Sequence, residues 1–406
     1  MKRYPKSEHG IEIGDIDKDA LYILDKLHGK DFEAYLVGGS IRDLLLGHKP
    51  KDFDITTSAS PEEIKQVFPR CLLIGRRFRL AHVRFGRKII EVSTFRSGDI
   101  ESEELIVHDN EWGSAEEDVI RRDFTINGLL YDSRTQEIID YVGGVEDAKK
   151  KCLRAIGQPY MRFKQDPVRM IRLIKFQARF GLDAEAETGQ ALLECRSDIT
   201  KSSPARVLEE LLRMLESGHA EKFFRLMTDR GLIQMMLPDL SHFLEHPDGS
   251  EIYDYLNQAD QAILENPSEK PDRTVLLSCL VFPLFDKHLS QIFNADSPPH
   301  LGEIFQEADR IVQCIFWPFL QLPRRLRVGM GTLLTSQYRI IPFGKTKKQR
   351  VRLPRVPEFS LALDFFRLRA GLDPLLQEPL KEWEEALARG PSHDALPSYR
   401  PRRYRR

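Results

Sequence analysis

Up to about residue 150 hydrophobic positions mix helical spacing with strand-like alternation and short blocks, and beyond it they recur every three or four residues. Residues 33–37 read as a short buried strand and 40–46 as a helix, with Ile41, Leu44 and Leu45 at helical spacing. Residues 15–30 predict an amphipathic helix through Ile16, Ala20, Ile23, Leu24 and Leu27. Ser60-Pro61-Glu62-Glu63 is a helix start, with Ser60 as N-cap, Pro61 in the first turn and Glu63 closing a capping box. Strands are predicted at 71–74, 81–85 and 88–95, the last setting Glu91 on the face opposite Ile90 and Val92.

Residues 97–117 read as a long loop and 140–147 as a final strand and turn. Farther on, Arg169, Arg172, Lys175 and Arg179 interleave with Met170, Ile171, Ile174 and Ala178, which predicts a helix with one apolar and one cationic side. Ser203-Pro204 opens another helix through Leu208, Leu211, Leu212 and Leu215. The pattern implies an α+β head over 12–148, all-α segments over 149–250 and 251–390, and a disordered arm over 391–406.

Composition fits this layout. With 406 residues, 41% hydrophobic and 30% charged, the chain is long enough for several domains. Its net charge of −1 excludes a globally basic nucleic-acid binder, so any affinity for RNA must come from local patches. Two such patches stand out. Residues 398–406 hold Arg400, Arg402, Arg403, Arg405 and Arg406 with two tyrosines, a composition suited to neutralising phosphates and stacking on bases; residues 345–352 are also basic.

Five cysteines, far apart and odd in number, argue against a disulfide framework or a Cys-x-x-Cys metal site. No apolar run reaches the roughly 18 residues of a membrane span, and residues 1–10 lack the apolar core of a signal peptide. A cytoplasmic protein is expected.

The chemistry begins at Leu36-Val37-Gly38-Gly39-Ser40-Ile41-Arg42-Asp43. Two glycines at a strand-to-helix turn let a phosphate approach backbone amides, with Arg42 expected to face the same space. Asp52-Phe53-Asp54 follows, and strand geometry would put both carboxylates on one face. Two hard oxygen ligands beside a phosphate cradle suit Mg²⁺. Together they point to an enzyme that handles nucleoside triphosphates.

Gly38-Gly39-Ser40-x-Arg42-Asp43 with Lys51-Asp52-x-Asp54 resembles the first signature of the class II tRNA nucleotidyltransferase and bacterial poly(A) polymerase family, whose head has the polymerase-β nucleotidyltransferase fold. Arg121-Arg122-Asp123-Phe124-Thr125-Ile126-Asn127 resembles its second signature. Asp166-Pro167-Val168-Arg169-Met170-Ile171-Arg172 resembles its base-reading helix.

The resemblance implies a mixed-sheet head with an all-α neck, body and tail. It further implies two Mg²⁺ ions held by Asp52 and Asp54, with ATP and an RNA 3′ end as partners. Gly38, Gly39, Ser40, Arg42 and Arg122 would hold phosphates, while Asp123 and Asn127 would lie at the nucleotide or its metal. Asp166 and Arg169, with Arg172 on the same helix, would read the base. Glu91 is a candidate third carboxylate.

The family signatures are shared by poly(A) polymerases and CCA-adding enzymes. Leu73-Ile74-Gly75-Arg76-Arg77-Phe78-Arg79-Leu80-Ala81-His82-Val83 resembles the poly(A) polymerase version, and Arg76, Arg77 and Arg79 are candidate RNA contacts. The expectation is a polynucleotide adenylyltransferase. CCA addition and an inactive RNA-binding protein on the same frame are the alternatives. His242-Phe243-Leu244-Glu245-His246 spells an inverted zinc-protease motif, but Pro247 ends any helix there, and it is read as coincidental.

Overall fold

The structure, a computed structural model, describes residues 1–75, 80–97, 111–293, 298–342 and 359–389. Arg76, Arg77, Arg79, the 345–352 stretch and the arginines from Arg400 to Arg406 lie outside the described residues. The chain divides into two compact units, Met1–Val207 with Leu226–Met235, and Leu208–Arg225 with Met236–Arg406.

The first unit opens with β1 (Lys2–Tyr4), α1 (Lys6–His9), α2 (Lys18–His28), β2 (Ala34–Val37), α3 (Gly39–Leu45), β3 (Asp54–Thr57) and α4 (Pro61–Val67). It continues through β4 (Cys71–Ile74), β5 (Leu80–Phe85), β6 (Lys88–Thr94), β7 (Arg96–Ser97), β8 (Glu111–Trp112), α5 (Ala115–Ile120), β9 (Leu129–Asp132), β10 (Glu137–Asp140) and α6 (Gly144–Lys149). Then come β11 (Cys152–Leu153), α7 (Pro159–Gln165), α8 (Val168–Phe180), β12 (Asp183–Ala184) and α9 (Ala186–Cys195). Eight strands form one sheet in the order β1-β10-β9-β2-β3-β6-β5-β4. Every pairing in it is antiparallel except β3 with β6, so the sheet is mixed as expected.

β2 is buried on both faces, which explains its unbroken apolar run. Ala34 and Leu36 join a core with Ile23, Leu24, Ile55, Ile90 and Val92. Tyr35 and Val37 join a second core on the opposite face, with Phe95, Val119 and Leu130. The two-residue period therefore sends Ile55 to the first core and Asp54 to the side where α5 packs.

The helix start at Ser60 forms as expected, with Ser60 Oγ accepting from Glu63 N and Glu63 returning to Ser60 N. Two expectations are corrected. The reading of 97–117 as loop misses β8 and α5; Ser114 caps α5 with Glu117 in a second capping box, whose spelling is in the sequence. At 140–147 the strand ends at Asp140, whose carboxylate accepts four successive amides from Val142 to Val145 and thereby starts α6.

Gly144 at the head of α6 leaves no room for a side chain, because a Cβ would lie 2.2 Å from the Thr125 carbonyl oxygen. Gly144→Ala must displace residues 125–127, and a loss of about 1–3 kcal/mol is expected from such overpacking. A urea-denaturation midpoint close to that of the parent would refute it.

The remaining helices are α10 (Pro204–Leu215), α11 (Ala220–Asp229), α12 (Leu232–Met236), α13 (Pro238–Glu245), α14 (Ser250–Glu265), α15 (Arg273–Ile292), α16 (Leu301–Phe316), α17 (Arg324–Ile340), α18 (Phe359–Leu372) and α19 (Gln377–Arg389). In the second unit, α14 to α18 pack around α15 and α17. α15 is long and apolar enough on average to cross a membrane, the one such helix among the described residues, although Asp286, Lys287 and His288 break its apolar run. Most of its length is nonetheless interior to the unit, from Thr274 to Pro283 and at Phe285, and Arg273 at its start is forked between Glu209 and Glu216. That is the pattern of a core helix. α13 ends at Glu245, and His246 turns away to Lys287 and Asp248, so the two histidines do not share a helix face.

Candidate active site

β2 ends at Gly38, whose φ of +73° and ψ of −123° suit glycine alone. A Cβ on Gly38 would lie 3.2 Å from Arg122 Nη1, so Arg122 closes the turn on one side. Its Nη2 donates to Asp118 at 2.8 Å, while its Nε is buried without a hydrogen-bond partner. Asp118 lies on α5 and so holds the guanidinium between the glycine turn and the start of β3.

The carboxylate strand begins later than expected. β3 starts at Asp54, and Asp52 lies in the connection before it, with half-buried Phe53 packed on the first core. Parallel pairing puts Ile55 beside Val92, so one residue earlier Asp54 stands beside Glu91. Asp54 is open to solvent, yet protein crowds it on most sides. That crowding, with repulsion from Glu91 and Asp52, pushes its pKa up to about 6 against the pull of Arg122.

Asp52 and Asp54 have no hydrogen-bond or ion-pair partner among the described residues. Unpaired, mutually repelling carboxylates with an open face fit a hard cation completed by substrate oxygens. Among the described residues no three His, Cys, Asp or Glu side chains converge into a closed metal cage. Glu91 faces its cross-strand partner His82, with Nε2 at 3.5 Å.

Asp123 is placed differently from the carboxylates of β3. It is 8% exposed, and both oxygens are engaged. Oδ1 accepts from Phe124 N and Asn127 Nδ2, each at 2.9 Å, and Oδ2 from Arg172 at 2.7 and 2.6 Å. Burial alone would raise its pKa, but Arg172, Asn127 and Arg169 overcome this and hold it well below the usual carboxylate range. Asn127 passes the chain on, its Oδ1 accepting from Arg42 Nη1 at 2.7 Å.

Arg42 does not face open space. It is 5% exposed, with Nε and Nη2 donating to Asp43 Oδ1 at 2.9 and 2.6 Å. A Cβ on Gly39 would lie 3.4 Å from Arg42 Nη2, so Arg42 and Arg122 both border the glycine turn.

At the base-reading segment, Asp166 terminates α7 and Arg169 lies on α8, so the two do not share a helix face; Pro167 separates them. They still approach, Arg169 Nε lying 4.0 Å from Asp166 Oδ2. That oxygen also accepts from Arg206 Nη2 at 2.9 Å, and Oδ1 carries no contact among the described residues. Arg169 is buried and donates to the carbonyls of Arg121 and Arg122, so the expected cationic side of α8 is partly interior.

Arg162 was not singled out from sequence, although it is 1% exposed. It donates to the carbonyls of residues 120–122 and to Gln165. Burial, then Arg169, lowers its pKa to about 10. Its only sequence signal is a cation between Met161 and Phe163 on a short helix.

A family model described as "Poly A polymerase head domain" matches residues 34–154, and "Probable RNA and SrmB- binding site of polymerase A" matches 181–244. Poly(A) polymerase I of Escherichia coli is 34% identical over 397 residues, covering 94% of this chain and 84% of that protein. The chain belongs to the poly(A) polymerase/tRNA nucleotidyltransferase family. A CCA-adding enzyme of Lactobacillus helveticus is 37% identical over 222 residues, 54% of this chain and 55% of that enzyme. Among solved structures, a tRNA nucleotidyltransferase complexed with a primer tRNA and an incoming ATP analog superposes with a TM-score of 0.59 at 20% identity, covering 90% of this chain and 98% of that one. This member of the family is accordingly an α+β enzyme of the nucleotidyltransferase class.

Proposed function

We propose that the chain is a template-independent poly(A) polymerase that transfers AMP from ATP to RNA 3′ ends. The RNA 3′ oxygen forms a bond to the α-phosphorus, the α–β phosphoanhydride bond breaks, and pyrophosphate leaves. One observation carries this reading. Sequence likeness to Poly(A) polymerase I runs through nearly the whole chain, whereas sequence likeness to a CCA-adding enzyme of Lactobacillus helveticus stops at about half of each protein.

Asp52 and Asp54 would hold Mg²⁺, read as two ions, with Glu91 beside them. Bound there, the ions would supply activation of the 3′-hydroxyl and neutralise charge on the triphosphate. Arg122 supplies the cation at the glycine turn. The place of its Nη1 beside Gly38 supports contact with phosphate oxygens, with Gly39 and Ser40 amides nearby. Asp123, Asn127 and Arg172 hold this framework together from behind.

Arg206 pins one oxygen of Asp166 and leaves the other free to accept from a base amino group, while Arg169 offers a donor fork alongside. A reader fixed in one orientation suits a single base. Arg76, Arg77, Arg79 and the five tail arginines are proposed to hold the RNA strand, in the cytoplasm, where RNA ends and ATP meet.

The reading is tested with Mg²⁺, a short unstructured RNA and each nucleotide separately. A long ladder with ATP alone is expected, and limited addition that requires tRNA and CTP would assign CCA addition instead. Asp166→Ala should lower the ATP-to-CTP preference by about 1–3 kcal/mol, the scale of a lost base-edge contact. An unchanged kcat/KM ratio for the two nucleotides would remove Asp166 from base reading.

A further inference from the structure

At β4, β5 and β6 the sheet of the first unit is packed on one side only. Ala81, Val83, Ile90 and Val92 point into the first core, and Cys71 and Leu73 pack against it. The alternate positions point the other way, and on a sheet face open to water they are ordinarily polar. Here Leu72, Ile74 and Ile89 are 45%, 41% and 44% exposed. An exposed apolar patch rimmed by polar groups marks a binding surface.

Cations stand among these side chains. Arg84 is the cross-strand partner of Ile89, and Arg70, Leu72 and Arg84 line an open groove at β4, the edge strand of the sheet. Neither the Arg70 nor the Arg84 guanidinium has a hydrogen-bond or ion-pair partner among the described residues. Register ties the patch to the carboxylates. Leu72 pairs with His82, His82 pairs with Glu91, and Glu91 stands beside Asp54, so these four form one row across β4, β5, β6 and β3. Three strand spacings, roughly 14 Å, separate the two ends of the row.

We propose that the open face of β4, β5 and β6 is the docking surface for the RNA strand just upstream of the 3′ end being extended. The inference rests on the reading that this chain extends RNA 3′ ends. The row begins at the proposed metal platform, where the reacting 3′ oxygen lies, so the strand leading to that oxygen crosses adjoining surface. Unpaired arginines suit its phosphates, and aliphatic side chains offer apolar contact to riboses and bases without a hydrogen-bond code. Such a surface accepts any sequence. An acidic protein would also meet Arg70 and Arg84, but it would give no reason for their alignment with Asp54.

A consequence of the geometry is a dependence on primer length. At about 3.4 Å per stacked nucleotide, a dinucleotide with its 3′ end at Asp54 stops short of Arg84 and Arg70, whereas a strand of ten nucleotides passes both. The experiment therefore compares the double variant Arg70→Ala/Arg84→Ala, and separately Ile89→Ser, with the parent enzyme on oligoadenylate primers of two and ten nucleotides. All three substituted side chains are exposed, so the fold tolerates the changes. For the double variant, the KM of the ten-nucleotide primer should rise about tenfold or more. Its slope of log(kcat/KM) against log salt should flatten by about 1.4, the share of two phosphates on a single strand. The KM for ATP and the kcat/KM of the dinucleotide should stay within about twofold. Ile89→Ser should raise the same primer KM with the salt slope unchanged.

Equal losses on both primers would put the defect at the catalytic centre and overturn the proposal. An unchanged KM for the ten-nucleotide primer would overturn it as well and leave the face to a protein partner. Fluorescence anisotropy of a labelled ten-nucleotide RNA separates the surface from the reading beneath it. A parent enzyme that adds no nucleotide to RNA refutes the polymerase reading, yet weaker RNA binding by the double variant still upholds the docking surface, and unaltered binding overturns it.

Discussion

Asp54→Ala should reduce nucleotide addition by about 10³-fold or more, the scale of losing a central electrostatic group in an active site. The same variant should be no less stable than the parent. Asp54 has its pKa raised to about 6 by crowding and by Glu91 and Asp52, so the native state binds more protons than the unfolded chain between about pH 4 and 6. Stability therefore falls as pH rises through that window, and above it the charged carboxylate opposes folding. Removing it relieves the repulsion. Thermal melting at pH 7 and 1 mM-scale chelator checks the second statement, and single-nucleotide incorporation checks the first. Activity at limiting Mg²⁺ should also decline below about pH 6, because a proton then competes for the carboxylate, and added Mg²⁺ should restore it. An active Asp54→Ala enzyme would remove the proposed metal platform.

Local signals in the sequence proved readable where local geometry decides. The two-residue period puts Glu91 opposite Ile90 and Val92, and the Ser60 capping box starts α4. Side-chain direction inside the site was less accessible. Arg42 lies on α3 as its spacing requires, but Phe176, Phe180 and Asn127 decide where its guanidinium goes, and no local pattern encodes partners that far away. The same holds for Arg206 and Asp166, which meet across 40 residues. The break before α8 is another matter. Proline disfavours helical backbone in the residue before it, so Asp166-Pro167 already separates Asp166 from the helix of Arg169. Ser114-x-x-Glu117 likewise spelled out the start of α5. Both of these boundaries follow from local rules, whereas the placement of Arg42 and Arg162 depends on tertiary contacts.

Asp123→Asn should cost the most stability of any change at the site. The substitution removes the charge that Arg172 and Arg169 surround, and it turns an amide toward donors already committed to an acceptor. Breaking one side of a buried pair leaves the other uncompensated, and the expected loss is about 3–5 kcal/mol. Its pH dependence separates this cause from a general packing defect. Asp123 has a folded pKa well below its unfolded value, so its stabilisation is fully present above about pH 4 and is lost as pH falls through the range between the two. Parent and variant should differ most at neutral pH and converge as the medium is acidified below pH 4. Urea unfolding from pH 7 down to pH 3 measures that gap. A gap of constant size would mean that the carboxylate's charge contributes nothing, and the chain of contacts from Arg42 through Asn127 to Arg172 would then rest on shape alone.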